Sequence, residues 1–209
     1  DKRVRRVIGD PRVRFREDPV RMIRAIRFAS ALDFAIELEA WQAIQEMRDT
    51  ITLASHERMY EEMLKLAFCG RAETVGEKLI QAGLFDVIFP AVGAWMKTLE
   101  GAGGQAWLFK ALHQVDIWKK AGMLPDDELL WALLFGAYHE WVAERLVKDG
   151  WHPSRALGEA AHQHLMNPAN CVRVPKRIAI GASQLMSAQA SFERVQGKRA
   201  ERFLRHRSF

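Results

Sequence analysis

Arg16-Glu17-Asp18-Pro19-Val20-Arg21-Met22-Ile23-Arg24-Ala25-Ile26-Arg27-Phe28-Ala29 reads as a helix start that carries a carboxylate and a guanidinium one turn apart. Asp18 suits the N-cap and Pro19 the first helical position, where a missing N–H and a fixed φ cost nothing. Arg21, Arg24 and Arg27 follow at intervals of three, so neighbouring members of the series lie near one another. Met22, Ala25, Ile26, Ala29 and Leu32 supply the opposing apolar stripe. A purely local account of the polar residues exists: Asp18 caps, Glu17 favours the positive helix end and Arg21 pairs nearby. A cap uses only part of a carboxylate's acceptor capacity, so a second role stays open beside it. An Asp that accepts and an Arg that donates, held on one rigid element, can together read the edge of a nucleobase.

Outward from this stretch the helical period dominates, and convincing period-2 strands are absent. Residues 1–9 read as a short extended lead-in, and Glu39 to Met47 as a second helix. Ser55 is a fitting N-cap for a third, with Met59, Met63, Leu66 and Ala67 as its apolar stripe. Glu73 to Ala82 forms a further helix closed by Gly83, a natural residue beyond a C-terminus. Asp86 to Ala91 reads as a turn-rich connection, and Glu100-Gly101-Ala102-Gly103-Gly104-Gln105 as a flexible loop. Asp126, Pro153 and Pro175 then open three amphipathic helices. Most tryptophans (Trp107, Trp118, Trp131, Trp141, Trp151) fall in this second half, at spacings that fit core packing better than base stacking. The expected fold class is all-α, a multi-helix array of two subdomains with a boundary between residues 90 and 105.

The 209 residues suffice for one large or two small cores. No apolar run approaches the roughly 20 residues that span a bilayer, and no signal-peptide pattern opens the chain. Cys69 and Cys171 lack metal-ligand spacing and read as two buried thiols of a cytoplasmic protein. The net charge of +5 conceals a segregation. Residues 1–30 carry ten Lys/Arg against four Asp/Glu, and residues 171–209 carry nine against two. The intervening 140 residues hold twelve against twenty. Two basic ends around an acidic middle point to localised contact with a polyanion; solvated charge on helix faces is the alternative.

Two more constellations follow. Ser55-x-Glu57-Arg58-x-x-x-Glu62-x-x-Lys65 places Glu62 four residues after Arg58, a pattern better suited to buttressing another helix than to direct chemistry. Arg194, Lys198, Arg202 and Arg205, with Arg199 beside them, form one basic stripe if the terminal helix is continuous. That stripe is either an RNA-binding, phosphate-tracking surface or a solvated helix face. No Gly-rich phosphate loop, metal-spaced His/Cys set or nucleophile triad appears. A Gly-Ser followed by an Asp-x-Asp pair, the arrangement with which nucleotidyltransferases hold two magnesium ions, is also missing.

The block Ile8 to Ala29 resembles the segment just after the catalytic head of the bacterial poly(A) polymerases and their relatives, the tRNA CCA-adding enzymes. Ser55-x-Glu57-Arg58 looks like the next motif of that family, and the likeness continues through Leu84-Phe85-Asp86-Val87-Ile88-Phe89-Pro90. Val174-Pro175-Lys176-Arg177 and Gln196-Gly197-Lys198-Arg199-Ala200 favour the poly(A) branch. The resemblance implies an enzyme that transfers AMP from ATP to RNA 3′ ends without a template. It implies that Asp18 accepts from the adenine amine and Arg21 donates to the ring nitrogen, with Arg24 and Glu17 in support and Arg58 bracing from the next helix. Mg²⁺ is implied too, on carboxylates outside this chain. On this reading residues 1–12 are a linker from a missing head, 13–95 a neck that recognises base and RNA, and 96–209 a helical body with a basic arm. The isolated portion is then expected to be inactive. A CCA-adding nucleotidyltransferase and a non-catalytic helical RNA-binding module remain as alternatives.

Overall fold

The computed structural model describes residues 4–5 and 9–192. Among the described residues the chain is all-α, as the periodicity predicts: eleven α-helices, one 3-10 segment at Arg48–Leu53, and a minimal parallel pairing of β1 (Val4–Arg5) with β2 (Ala35–Ile36). The helices group into two compact units. Among the described residues, one runs through Leu124 and recovers Asn167–Arg173; the other comprises Pro125–Met166 and residues 174–192.

The first unit begins with a helix too short to show a periodic stripe, α1 (Pro11–Glu17). Seven residues are too few for an independent helix. Asp10 caps it by accepting from the Arg12 N–H at 2.8 Å, Pro11 occupies the first turn, and Phe15 is fully buried. Burial of that one ring contributes about 2 kcal/mol. In α2 (Val20–Ala31) the buried face is Val20, Met22, Ile23, Ile26, Ala29 and Ser30. Leu32, expected on that stripe, is 49% exposed. Asp33 adopts φ 55° just beyond it, and the Phe34 N–H closes the turn on the Ala29 carbonyl at 2.8 Å.

Next come α3 (Leu38–Met47) and α4 (His56–Ala67), the latter capped by the Ser55 hydroxyl, which accepts from the Arg58 N–H at 3.4 Å. The buried face of α4 is Met59, Glu62, Leu66 and Ala67; a carboxylate takes the place expected for Met63. Helix α5 (Ala72–Gln81) closes at Gly83 with φ 73°, as predicted. The segment read as turns is helical: α6 (Leu84–Ile88) and α7 (Pro90–Met96) break only at Phe89. Pro90 opens α7 rather than ending a helix, because a first-turn position needs no N–H. The glycine-rich stretch is packed, not loose. A Cβ on Gly101 would overlap the Trp95 carbonyl, and one on Gly104 would overlap the Trp95 ring.

Helix α8 (Gly104–Lys120) belongs to the first unit, which continues to Leu124. The physical reason is specific. Arg71 offers α5 no side-chain cap, and Asp116 of α8 supplies one, accepting from the Ala72 N–H at 2.7 Å and the Glu73 N–H at 3.2 Å. Residues 167–173 are stitched to the same unit. The Cys171 N–H donates to the Ile88 carbonyl at 3.0 Å, and the His56 Nδ1–H donates to the Cys171 carbonyl at 3.0 Å. Cys171 is buried as expected, whereas Cys69 is half-buried; both are free thiols, and burial pushes both pKa values up.

The second unit is a three-helix array of α9 (Asp127–Lys148), α10 (Pro153–Leu165) and α11 (Lys176–Phe192). Asp126 caps α9 through the Leu129 N–H at 2.9 Å. The three helices pack on one another, and Leu130, Trp131 and Phe135 of α9, Ala156, Ala160 and Leu165 of α10, and Ile178, Ala182 and Met186 of α11 are buried. Trp131 is core, as its spacing indicates; Trp151 lies in the turn between α9 and α10, with the Arg155 guanidinium 4.6 Å over its ring.

Candidate base-reading site

Asp18 is the hinge of the α1–α2 corner. Its backbone is extended (φ −151°, ψ 95°), and its N–H ends α1 on the Arg14 carbonyl at 3.2 Å. Its Oδ1 accepts from the Val20 N–H at 3.2 Å, and its carbonyl accepts from the Arg21 N–H at 3.1 Å. Pro19 has helical dihedrals (φ −59°, ψ −27°). The cap-then-proline start is therefore present, and it engages Oδ1, leaving Oδ2 to meet Arg58.

Around Oδ2 the side chains alternate in charge. Arg58 of α4 donates from Nη2 to Asp18 Oδ2 at 2.7 Å. Arg21 Nε lies 3.8 Å from the same oxygen. Arg21 Nη1 donates to Glu17 Oε2 at 2.9 Å and to the Arg14 carbonyl at 3.3 Å. Arg14 Nη1 donates to that Glu17 oxygen at 3.0 Å. The row runs Arg14, Glu17, Arg21, Asp18, Arg58, each carboxylate between two guanidiniums. Asp18 is 17% exposed, while Arg21 and Arg58 are 36% and 45% exposed. Ion pairs this accessible contribute only ~0–1 kcal/mol each. What the row provides is orientation.

That orientation places an acceptor beside a donor. At 3.8 Å, Arg21 Nε is too far from Asp18 Oδ2 for a hydrogen bond, so the N–H is not consumed by its neighbour. Oδ2 keeps acceptor capacity beyond the Arg58 bond. Adenine and cytosine each present an amine donor next to a bare ring nitrogen, the complement of this pair. Guanine and uracil present a carbonyl next to a ring N–H, the reverse. The same arrangement does not fit a divalent cation. Both carboxylates are bonded to guanidiniums, and no cluster of three or more His, Cys, Asp or Glu able to hold a metal occurs among the described residues.

Of the residues singled out from sequence, the fold thus unites Glu17, Asp18, Arg21 and Arg58. Arg24 is half-buried and makes no ion pair among the described residues. The three-residue arginine series fans apart, because each step of three rotates about 300° around a helix of 3.6 residues per turn. Arg27 accordingly reaches Glu62 of α4 instead, at 3.6 Å. Arg194, Lys198, Arg199, Arg202 and Arg205 lie outside the described residues. The sequence reading gave no role to Arg14, whose three-residue spacing from Glu17 was the available signal.

Comparison with known proteins places this corner in context. Residues 33–96 match the family model described as the probable RNA and SrmB-binding site of polymerase A. Residues 149–209 match the polymerase A arginine-rich C-terminus. The chain is 28% identical over 205 residues to poly(A) polymerase I of Salmonella typhi, covering 98% of this chain and 44% of that protein. It is 36% identical to the CCA-adding enzyme of Geobacillus sp. (strain WCH70), covering 86% of this chain and 52% of the relative. The crystal structure of the Bacillus stearothermophilus CCA-adding enzyme in complex with CTP superposes with a TM-score of 0.53 at 28% identity, over 91% of this chain and 39% of that one. The chain therefore spans about half the length, or less, of these relatives.

Proposed function

Because this chain belongs to the family of poly(A) polymerases and CCA-adding enzymes, we propose that it is the nucleotide-selecting and RNA-binding portion of a cytoplasmic enzyme that adds AMP from ATP to RNA 3′ ends without a template. The observation that carries base selection is the placement of Arg21 Nε beside Asp18 Oδ2, with Arg58 and Glu17 holding the two groups from outside. In this reading Asp18 accepts from the adenine amine and Arg21 donates to the adjacent ring nitrogen. Arg24, one turn beyond Arg21 and uncommitted among the described residues, supports the nucleotide. Mg²⁺, if it serves the transfer, would be held by carboxylates other than Glu17 and Asp18, which are bonded to arginines, and would supply charge stabilisation for the phosphoryl group.

The poly(A) branch is supported by the match to the arginine-rich C-terminus and by the alignment of 98% of this chain with 44% of poly(A) polymerase I. The likeness to CCA-adding enzymes favours a second reading, since the Asp18–Arg21 pair complements cytosine as well as adenine. Incorporation assays on the full-length protein separate the two. The poly(A) reading expects AMP addition to many RNA ends; efficient CTP use on a tRNA lacking its terminus rejects it. Asp18→Ala and Arg21→Ala should each lower the preference for ATP over GTP by tenfold or more, since a well-placed pair of base contacts provides about 1–3 kcal/mol of discrimination. Unaltered preference in both variants refutes the base-reading assignment.

A further inference from the structure

Arg58 and Glu62 stand four residues apart on α4 and so share one face, one turn from each other. That face lies against α2. Arg58 meets Asp18 at the start of α2 at 2.7 Å, and Glu62 meets Arg27, nine residues further on, at 3.6 Å. The charges are crossed. At one point a cation of α4 faces an anion, and at the other an anion of α4 faces a cation. Sliding α4 along α2 by one turn, about 5.4 Å, brings Glu62 toward Asp18 or Arg58 toward Arg27. Either slip sets like charges together, so the crossed pairs admit one register.

The inner pair is a poor source of stability. Glu62 and Arg27 side chains are only 7% and 17% exposed. Glu62 Oε1 accepts from Lys65 Nζ at 3.0 Å, but Glu62 Oε2 and Arg27 Nε have no hydrogen-bond partner. The Arg27 guanidinium rests 4.3 Å over the Phe28 ring. Desolvation of such a pair offsets its Coulombic attraction, and well-packed apolar residues generally serve stability as well or better. Its distinctive property is positional: it sits one turn along α4 from the arginine that orients Asp18.

We propose that Arg27 and Glu62 are positioning residues of the base-reading site, setting the register of α4 on α2 that delivers the Arg58 guanidinium to Asp18 Oδ2. This rests on the reading of Asp18 and Arg21 as the base-reading pair. Neither residue touches the nucleotide in this account; both act through Arg58.

The test uses the full-length protein with the double variant Arg27→Met/Glu62→Leu, the single variant Glu62→Gln, and Asp18→Ala as reference. The double variant should melt at or above the wild-type temperature, yet show an ATP-over-GTP preference reduced at least tenfold and a KM for ATP raised more than kcat is lowered. Glu62→Gln keeps the side-chain volume and should shift preference and KM in the same direction by a smaller factor, which guards against poor folding of the double variant. A double variant and a Glu62→Gln protein that both keep wild-type preference and KM, while Asp18→Ala loses preference, overturn the positioning role and leave base reading intact. An Asp18→Ala protein that keeps its preference overturns the base-reading premise, and this inference with it.

Discussion

Asp18 serves two helices and a distant arginine at once, ending α1 with its N–H, starting α2 with Oδ1 and meeting Arg58 with Oδ2. The first two roles depend on neighbours within four residues, so the Asp-Pro pair announces them in the sequence. The third spans forty positions and no local pattern encodes it; only likeness to a family brought Arg58 to the site beforehand. His139 shows the reverse, a residue whose character is invisible until packing is known. It faces His164 across α9 and α10 with ring centroids 5.6 Å apart, and Phe135 and Tyr138 flank His164 at 5.8 Å. Burial lowers the His139 pKa to about 4, and burial together with the neighbouring His139 lowers that of His164 to about 3. Unfolded rings take up protons near pH 6.5. Between that value and about 4 the unfolded chain binds protons that the folded unit refuses, so stability falls as pH drops through this window and levels out near pH 3. Thermal melts from pH 7.5 to 4 should show a steadily falling midpoint for the second unit. Replacing His139 and His164 by Leu should flatten that slope.

Helices with their own punctuation were legible one by one. Ser55, Asp126 and Pro153 start α4, α9 and α10 where their residue types demand, and Gly83 closes α5. The same grammar was present at Asp10-Pro11 and went unread because α1 is too short to show a periodic stripe. Its helicity comes from Phe15 burial, a tertiary fact. The start of α5 carries Glu73 in its first turn but has no local side-chain cap. Its cap is Asp116, more than forty residues away and 7% exposed. Asp116→Ala should destabilise the first unit by about 1–2 kcal/mol, since one buried and one half-buried N–H group lose their acceptor together. Asp116→Asn keeps one carbonyl acceptor and should cost less. Denaturant unfolding of the three proteins provides the measurement, and equal midpoints would mean that α8 is not what holds the α5 terminus.

Across the whole molecule, charge segregation is a property of composition, and its consequence is testable without reference to any contact. If the stripe of Arg194, Lys198, Arg199, Arg202 and Arg205 tracks RNA phosphates, replacing Lys198, Arg199 and Arg202 by Gln should weaken RNA binding. It should also reduce the slope of log K against log salt by roughly two, at about 0.7 per lost single-strand contact. An unchanged slope marks the stripe as solvated surface. Composition changes near residue 100, whereas the packing of α8 on α5 extends the first compact unit to Leu124. By itself, the sequence determined the all-α class, most helix starts, the capped Asp18 corner and the basic ends, because each depends on residue type and on neighbours within a turn or two. Tertiary structure alone decided that Arg27 turns from the arginine series to a buried carboxylate, that α8 joins the first unit, and that His139 is held neutral. Those outcomes depend on which surfaces exclude water together, and that is set by packing between residues far apart in the chain.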